Sequence, residues 1–177
     1  MTRGAPMTQD GSTPRTAVHA LLTDGTTVSI RPAAADDLGA LRTMFAGLSA
    51  QSLRMRFFAS GSAVGQGAAE RLCAPHADRI ALLAVLHRGE DEQIVGEGEA
   101  WRLGPSADAA EVGFTVAEGW RGRGIGTLLL EHLADAARAA GIRSFTAETL
   151  SENLAMKRVI NSAGLHHRAA YEHGGTV

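Results

Sequence analysis

Apolar residues recur along this chain with two periods, and the switches between them mark out its elements. Ala17–Leu22 and Thr26–Arg31 flank Asp24-Gly25, a hairpin signal, and Val28 and Ile30 alternate with polar neighbours as on a half-buried strand. Pro32 stops that strand. Leu38, Leu41, Phe45 and Leu48 fall on one helical face, behind Asp36-Asp37 as N-cap and first-turn charge. Ser49 caps a second helix through Phe58, residues 60–67 read as a small-residue loop, and Gly67–Ala74 as a short helix. Ile80–Leu86 is apolar throughout, the mark of an interior strand, and a charged turn over Arg88–Glu92 follows. Gln93–Leu103 alternates weakly as a long strand, in which Gly96 and Gly98 signal a bend or a close approach. After a turn at Gly104–Ala109, Glu111–Ala117 is a strand and Ile125–Ala140 a helix closed by Gly141. Ser144–Leu150 is a strand, Asn153–Ala163 a helix closed by Gly164, and Leu165–Glu172 a last strand before a turn at Gly174-Gly175. No internal repeat or dividing linker interrupts this α/β (α+β) order, which predicts a single domain from residue 17 to residue 177.

Composition narrows the class. With 177 residues, 45% hydrophobic and 20% charged, the chain can bury one ordinary core. Residues 1–16 are polar, lack the apolar core of a signal peptide, and read as a disordered lead-in. No run suits a membrane span, so the expectation is a cytoplasmic protein without a membrane partner. A net charge of −2 gives no overall field for nucleic acid. The single cysteine, Cys73, excludes a disulfide framework and reads as a buried structural thiol. Of the seven histidines, His166 and His167 are adjacent and would point to opposite faces of a strand, and no spaced His or carboxylate cluster supports a metal.

The chemistry concentrates between Glu111 and Leu165. Gly122, Gly124 and Gly126 sit where a helix must begin, and a helix start offers unpaired N–H groups and a positive dipole end to an anion such as a pyrophosphate. A dinucleotide fold competes for this pattern, with acidic Glu148 after the next strand. It fits poorly: the third fingerprint glycine would fall on Thr127, Ala117–Arg121 separates strand from turn, and too little chain follows for a doubly wound sheet.

Arg121–Gly126 instead matches the R/Q-x-x-G-x-G/A pyrophosphate pattern, and Asn153 precedes a helix that ends in Gly164-Leu165. In these features the chain resembles the GNAT superfamily of acyl-CoA N-acyltransferases. LLTDGTTVSIRPAAADDLGAL and LSAQSLRMRFF are similar to the acetyltransferase domain of bacterial protein-lysine acetyltransferases, so the likeness runs from about Leu21 to Leu165. It implies a GNAT-like mixed, mostly antiparallel sheet with helices on both faces, and acetyl-CoA as cosubstrate without a metal. Backbone groups of Phe114, Thr115 and Val116 would pair with the pantetheine arm. Those of Arg121, Gly122, Arg123, Gly124, Ile125, Gly126 and Thr127 would hold the pyrophosphate. Asn153 would touch the cofactor near its thioester, cap its helix, or do both. The short C-terminus leaves the last strand of the usual sheet to a neighbour, which keeps a homodimer open.

A lysine amine, with a pKa of about 10.4, needs a base at neutral pH. Glu111 heads the strand that would carry the thioester and stands where this acetyltransferase group has its proposed base, within an AEV-type sequence. The plain alternative is an exposed strand-end carboxylate. Glu97 and Glu99 are reserves, and a backbone N–H near Phe114–Val116 would meet the oxyanion. Ile160 occupies the place where many members carry a Tyr acid, leaving Tyr171, Ser162 or water for the departing thiolate. Arg54–Phe58 either borders the acceptor cleft or forms half of an amphipathic helix. The expected activity is acetyl transfer from acetyl-CoA directly to an amine, a protein lysine first. A small-molecule amine acceptor and a non-catalytic acyl-CoA sensor are the alternatives.

Overall fold

The computed structural model describes residues 17–89, 91–166 and 168, and the backbone of 171–172 and 175–176; the expected lead-in over residues 1–16 lies outside the described residues. Strands β1 (Val18–Leu21) and β2 (Thr27–Pro32) form the expected hairpin. Its turn takes Gly25 at φ 83° and is closed by the Thr26 N–H donating to Asp24 Oδ1 at 3.0 Å. A short 3-10 turn at Ala35–Asp37 leads into helix α1 (Leu38–Ala46). Asp37 precedes α1 as expected but makes no side-chain cap. Its carboxylate accepts the Ala34 N–H at 2.8 Å and two guanidinium nitrogens of Arg31 at 2.8 and 2.9 Å. A buried guanidinium without a counter-ion costs several kcal/mol, whereas a lost cap costs about 1, so the ion pair prevails.

Ser49 does cap helix α2 (Ala50–Phe57), accepting the Ser52 N–H at 3.2 Å. Helix α3 (Ser62–Cys73) is longer than expected and takes in much of the supposed small-residue loop. The cause is Gly65, where a Cβ would stand 2.8 Å from Phe45 Cβ: glycine there lets α3 press onto α1. Cys73 is buried at the end of α3.

Strands β3 (Arg79–Arg88), β4 (Asp91–Arg102) and β5 (Ala109–Val116), helix α4 (Ile125–Ala139), strand β6 (Ser144–Thr146) and helix α5 (Leu154–Ser162) complete the main body. The sheet runs β1-β2-β3-β4-β5-β6, antiparallel except for the β5/β6 pair. The unbroken apolar run in β3 is explained by two cores: Leu82, Ala84 and Leu86 face α4, while Leu83 and Val85 face α1 and α3. Helices therefore cover both faces. Gly96 and Gly98 serve close approach, since a Cβ at either would stand 3.1 Å from Leu129 Cδ1 or 2.9 Å from Leu133 Cδ1 of α4.

The C-terminal expectation needs correction. Regular pairing in β6 stops at Thr146 instead of Leu150, and Leu165, His166 and Arg168 are not in a strand. Strand β7 (Tyr171–Glu172) pairs with β8 (Gly175–Thr176) and not with the main sheet. His167, Ala169, Ala170, His173 and Gly174 lie outside the described residues. None of the described helices is long and apolar enough to cross a membrane.

Candidate active site

The site forms where β5 and β6 part. Their parallel pairing covers only Ala109–Glu111 against Ser144–Thr146. From Val112 to Val116 the outer edge of β5 faces no strand among the described residues, because its other ladder is with β4. The Ala117 N–H donates to Val95 O at 2.9 Å and the Leu103 N–H to Ala109 O at 3.0 Å, so alternate residues of β5, Thr115 among them, turn their backbone groups to β4. Of the three expected residues it is Phe114 and Val116 that face the wedge-shaped opening, where an extended amide-bearing arm can pair.

At the wide end of that wedge lies the glycine turn. A 3-10 turn at Glu118–Trp120 carries the chain from β5 to Gly122 and Gly124, both left-handed at φ 75° and 93°, a conformation glycine adopts without strain. Every backbone N–H from Gly122 to Thr127 lacks an acceptor among the described residues, and the first helical bond is Leu128 N–H to Gly124 O at 3.0 Å. The Arg121 N–H is turned to Glu118 O at 3.5 Å. A run of convergent N–H groups at the head of a 15-residue helix is an anion cradle. Gly126 keeps it compact: a Cβ there would stand 3.0 Å from Val159 Cγ2 and 3.4 Å from Phe114 Cε2.

Both arginine side chains of the turn are engaged by protein. Arg121 donates to Val116 O at 3.3 Å and Ser52 Oγ at 2.7 Å. Arg123 pairs with Asp24 at the hairpin tip and lies over the Trp120 ring at 4.4 Å. The open recognition surface is thus backbone. Asn153 is the N-cap of α5, its Oδ1 accepting the Met156 N–H at 3.1 Å, while its amide nitrogen has no partner among the described residues.

On the α2 side of the sheet, cross-strand register sets Glu111 against Trp101, Gly113 against Glu99 and Thr115 against Glu97. A cleft of about 260 Å³ opens there, lined by Arg56, Arg71, Glu99, Trp101, Glu111, Val112 and Gly113. The exposed Glu111 carboxylate has no hydrogen-bond or ion-pair partner among the described residues. The two reserve carboxylates are both engaged. Glu97 accepts Arg56 Nε at 3.2 Å, and Glu99 accepts Arg56 Nη2 at 2.9 Å and Arg71 Nη2 at 3.1 Å. Complete burial pushes the Glu97 carboxyl above its ordinary range, although Arg56 pulls the other way. Burial raises Glu99 too, but Arg56 and Arg71 outweigh it and leave that carboxyl below its ordinary range. Glu97 Oε2 and Thr115 Oγ1 are buried on facing residues without a hydrogen bond of regular geometry, and the nearby Thr115 hydroxyl lowers the Glu97 carboxyl only in part.

Gly113 explains how the guanidinium fits. A Cβ there would stand 2.6 Å from Arg56 Nη1, so the strand gives up its side chain to let Arg56 lie on β5. A glycine inside a strand was the available sequence signal for this approach. Arg54 is exposed and outside the cleft, so of the expected Arg54–Phe58 segment it is Arg56 that lines the cleft. Arg71, Trp101 and Gly113 join the site without having been singled out from the sequence.

A larger cavity of about 1030 Å³ lies on the other side of the sheet, between α4, β6 and α5. Ile160 lines it together with Lys157, Asn161 and His166, and no carboxylate among the described residues does. Ser162 is exposed at the end of α5, and the Tyr171 side chain lies outside the described residues.

Residues 54–165 match the model of the Acetyltransferase (GNAT) family. Acetyltransferase Pat of Mycolicibacterium smegmatis is 34% identical over 80 residues, which is 45% of this chain and 24% of that protein, so the match spans about a quarter of the relative's length. The solved GNAT domain of S. lividans PAT superposes with a TM-score of 0.80 at 32% identity, over 90% of this chain and 93% of that one. Two structures share the fold at lower identity. The cAMP-binding acyltransferase of Mycobacterium smegmatis is 23% identical, with a TM-score of 0.62 over 92% of this chain and 46% of that one. RimJ of the same species, in complex with CoA-disulfide, is 19% identical, with a TM-score of 0.64 over 84% and 74%.

Proposed function

Because the chain belongs to the acetyltransferase (GNAT) family, we propose that it moves an acetyl group from acetyl-CoA directly to a protein lysine side chain, with Glu111 as general base. The observation that carries this reading is the run of unpartnered N–H groups from Gly122 to Thr127 beside the open edge of β5. That geometry fits a pyrophosphate joined to an extended amide-bearing arm, and acetyl-CoA supplies such an arm with a thioester at its end. Gly122 to Thr127 bind the phosphates through backbone N–H groups, and Phe114 and Val116 orient the arm. A backbone N–H in the same stretch meets the charge that develops on the thioester oxygen. Asn153 offers its amide nitrogen from the head of α5.

Glu111 takes the amine proton. Only on the order of one lysine in a thousand is neutral at pH 7, which is about 4–5 kcal/mol of deprotonation. Glu97 and Glu99 are bound to arginines, so Glu111 is the cleft carboxylate able to accept a proton without first breaking an ion pair. The lysine acceptor is favoured by the likeness to Pat and to the S. lividans PAT domain. Incubation with labelled acetyl-CoA and a panel of folded proteins and small amines tests it. Mass spectrometry should find acetyl groups on particular lysine side chains above the uncatalysed background. Activity confined to free small amines would move the chain to another acceptor class, and CoA binding without turnover would make it a sensor.

A further inference from the structure

The cofactor turn and the acceptor cleft are bolted to opposite ends of one helix. At the start of α2, Glu118 Oε1 accepts the Ser49 N–H at 2.8 Å and the Ser52 hydroxyl at 2.7 Å. Ser52 Oγ in turn accepts Arg121 Nη2 at 2.7 Å, and Arg121 Nε reaches back to Val116 O at 3.3 Å. Glu118 and Arg121 bracket the segment that leads into the glycine turn, 66 to 69 residues along the chain from the serines they hold. The helix does not need this clasp for its own cap, since Ser49 Oγ already accepts the Ser52 N–H. Hydrogen bonds from Ser49 and Ser52, with Arg121 nearby, hold the Glu118 carboxyl down at about 2, so it stays ionised and bound at neutral pH. Toward the other end of α2, about 10 Å along the axis from Ser49 and about 6 Å from Ser52 at 1.5 Å per residue, Arg56 lies on Gly113 and joins Glu97 to Glu99 on the floor of the Glu111 cleft.

We propose that Glu118 is a positioning residue, which transmits occupancy of the Gly122–Thr127 turn through α2 to the acceptor cleft. The inference rests on the reading of that turn as the CoA site. An anion held by the N–H groups after Arg121 immobilises the backbone on which Arg121 and Glu118 stand. Those two side chains hold Ser52 and Ser49, so α2 loses freedom at its head. Arg56 at its tail then keeps the arginine–carboxylate floor in register beside Glu111. The cleft is set for an amine when the cofactor turn is filled, a coupling carried by restricted motion and not by a change of fold.

Amide hydrogen exchange of the full chain with and without CoA tests this, with CoA binding followed separately by calorimetry. In the wild type, CoA should slow exchange in α2 by on the order of threefold or more. Glu118→Ala should still bind CoA but lose that protection. Glu118→Gln keeps an acceptor oxygen and should retain most of it, whereas Glu118→Met, which fills the same space without an acceptor, should lose it. Helix α3, hydrogen-bonded to neither Glu118 nor Arg121, reports any general loosening, and Ser52→Ala should repeat the loss if Glu118→Ala does not fold. CoA binding that leaves α2 unchanged in the wild type, or protection that survives in Glu118→Ala and Ser52→Ala, overturns the proposal. A wild-type chain that does not bind CoA overturns the cofactor reading and the coupling with it.

Discussion

Replacing Arg56 with methionine would strand a carboxylate inside the protein. Glu97 is fully buried, and its Oε1 is held by Arg56 Nε at 3.2 Å while its Oε2 has no hydrogen bond of regular geometry. Glu99 keeps Arg71 at 3.1 Å, so the damage falls on Glu97. Removing one partner of a buried pair costs about 3–5 kcal/mol, a large share of the 5–15 kcal/mol that typically holds a domain together. Glu97 can relieve part of this by taking a proton, which makes the loss pH-dependent. Burial already places its folded pKa above the unfolded value, so the folded state holds the proton more tightly. Stability associated with Glu97 is therefore present at low pH and falls as pH rises from about 4.5 through the folded pKa. Without Arg56 that window extends upward. Urea unfolding followed by circular dichroism should show Arg56→Met losing about 3–5 kcal/mol at pH 8 and clearly less at pH 5. Adding Glu97→Gln should recover part of the loss at pH 8. A loss below about 1 kcal/mol, or one equal at the two pH values, would refute the claim that a stranded charge is what the guanidinium prevents.

Three further outcomes follow from the geometry. Gly124→Val places a β-branched residue at φ 93° beside the cradle, and calorimetry should show CoA affinity lowered by about tenfold or more in a chain that still folds. Gly98→Val drives a side chain into Leu133 of α4, where even a Cβ would be at 2.9 Å, and should lower stability by about 1–3 kcal/mol in the same unfolding assay. Glu118 has a folded pKa of about 2 against 4.5 unfolded, so its contribution is present above pH 4.5 and lost as pH falls toward 2. Acid titration of Glu118→Gln should lack that component, and a profile identical to the wild type would remove Glu118 from the clasp.

What could be read from the sequence was whatever depends on backbone and on local order. The glycine turn is legible because glycine reports the left-handed φ at Gly122 and Gly124 directly, and the cradle is made of N–H groups that every residue there carries. The hairpin, the two-faced strand β3 and the Ser49 cap are likewise local. Helix α3 outruns its sequence pattern because Gly65 and Gly67 lower helix propensity, and only the packing of Gly65 on Phe45 shows why the helix continues. Asp37 reads as a helix cap in the sequence because its partner Arg31 becomes a neighbour only once β2 and the 3-10 turn are folded. The cleft floor was legible in fragments: the Arg54–Phe58 segment stood out, but which arginine turns inward depends on Gly113 in a strand far along the chain. The Glu118 clasp left no local trace, since Ser49, Ser52 and Arg121 are brought together only by the tertiary fold.

The central claim is that Glu111 removes the amine proton in an acetyl transfer. Initial rates with labelled acetyl-CoA and a confirmed protein acceptor, wild type against Glu111→Gln, test it most directly. The account predicts a fall in turnover of roughly 10²–10⁴-fold with acetyl-CoA affinity nearly unchanged, because the proposed cofactor contacts are backbone. It also predicts a steeper rise of rate with pH in the variant, which must wait for free neutral amine. Near-full activity of Glu111→Gln on that acceptor would contradict the account and pass the role of base to Glu97 or Glu99.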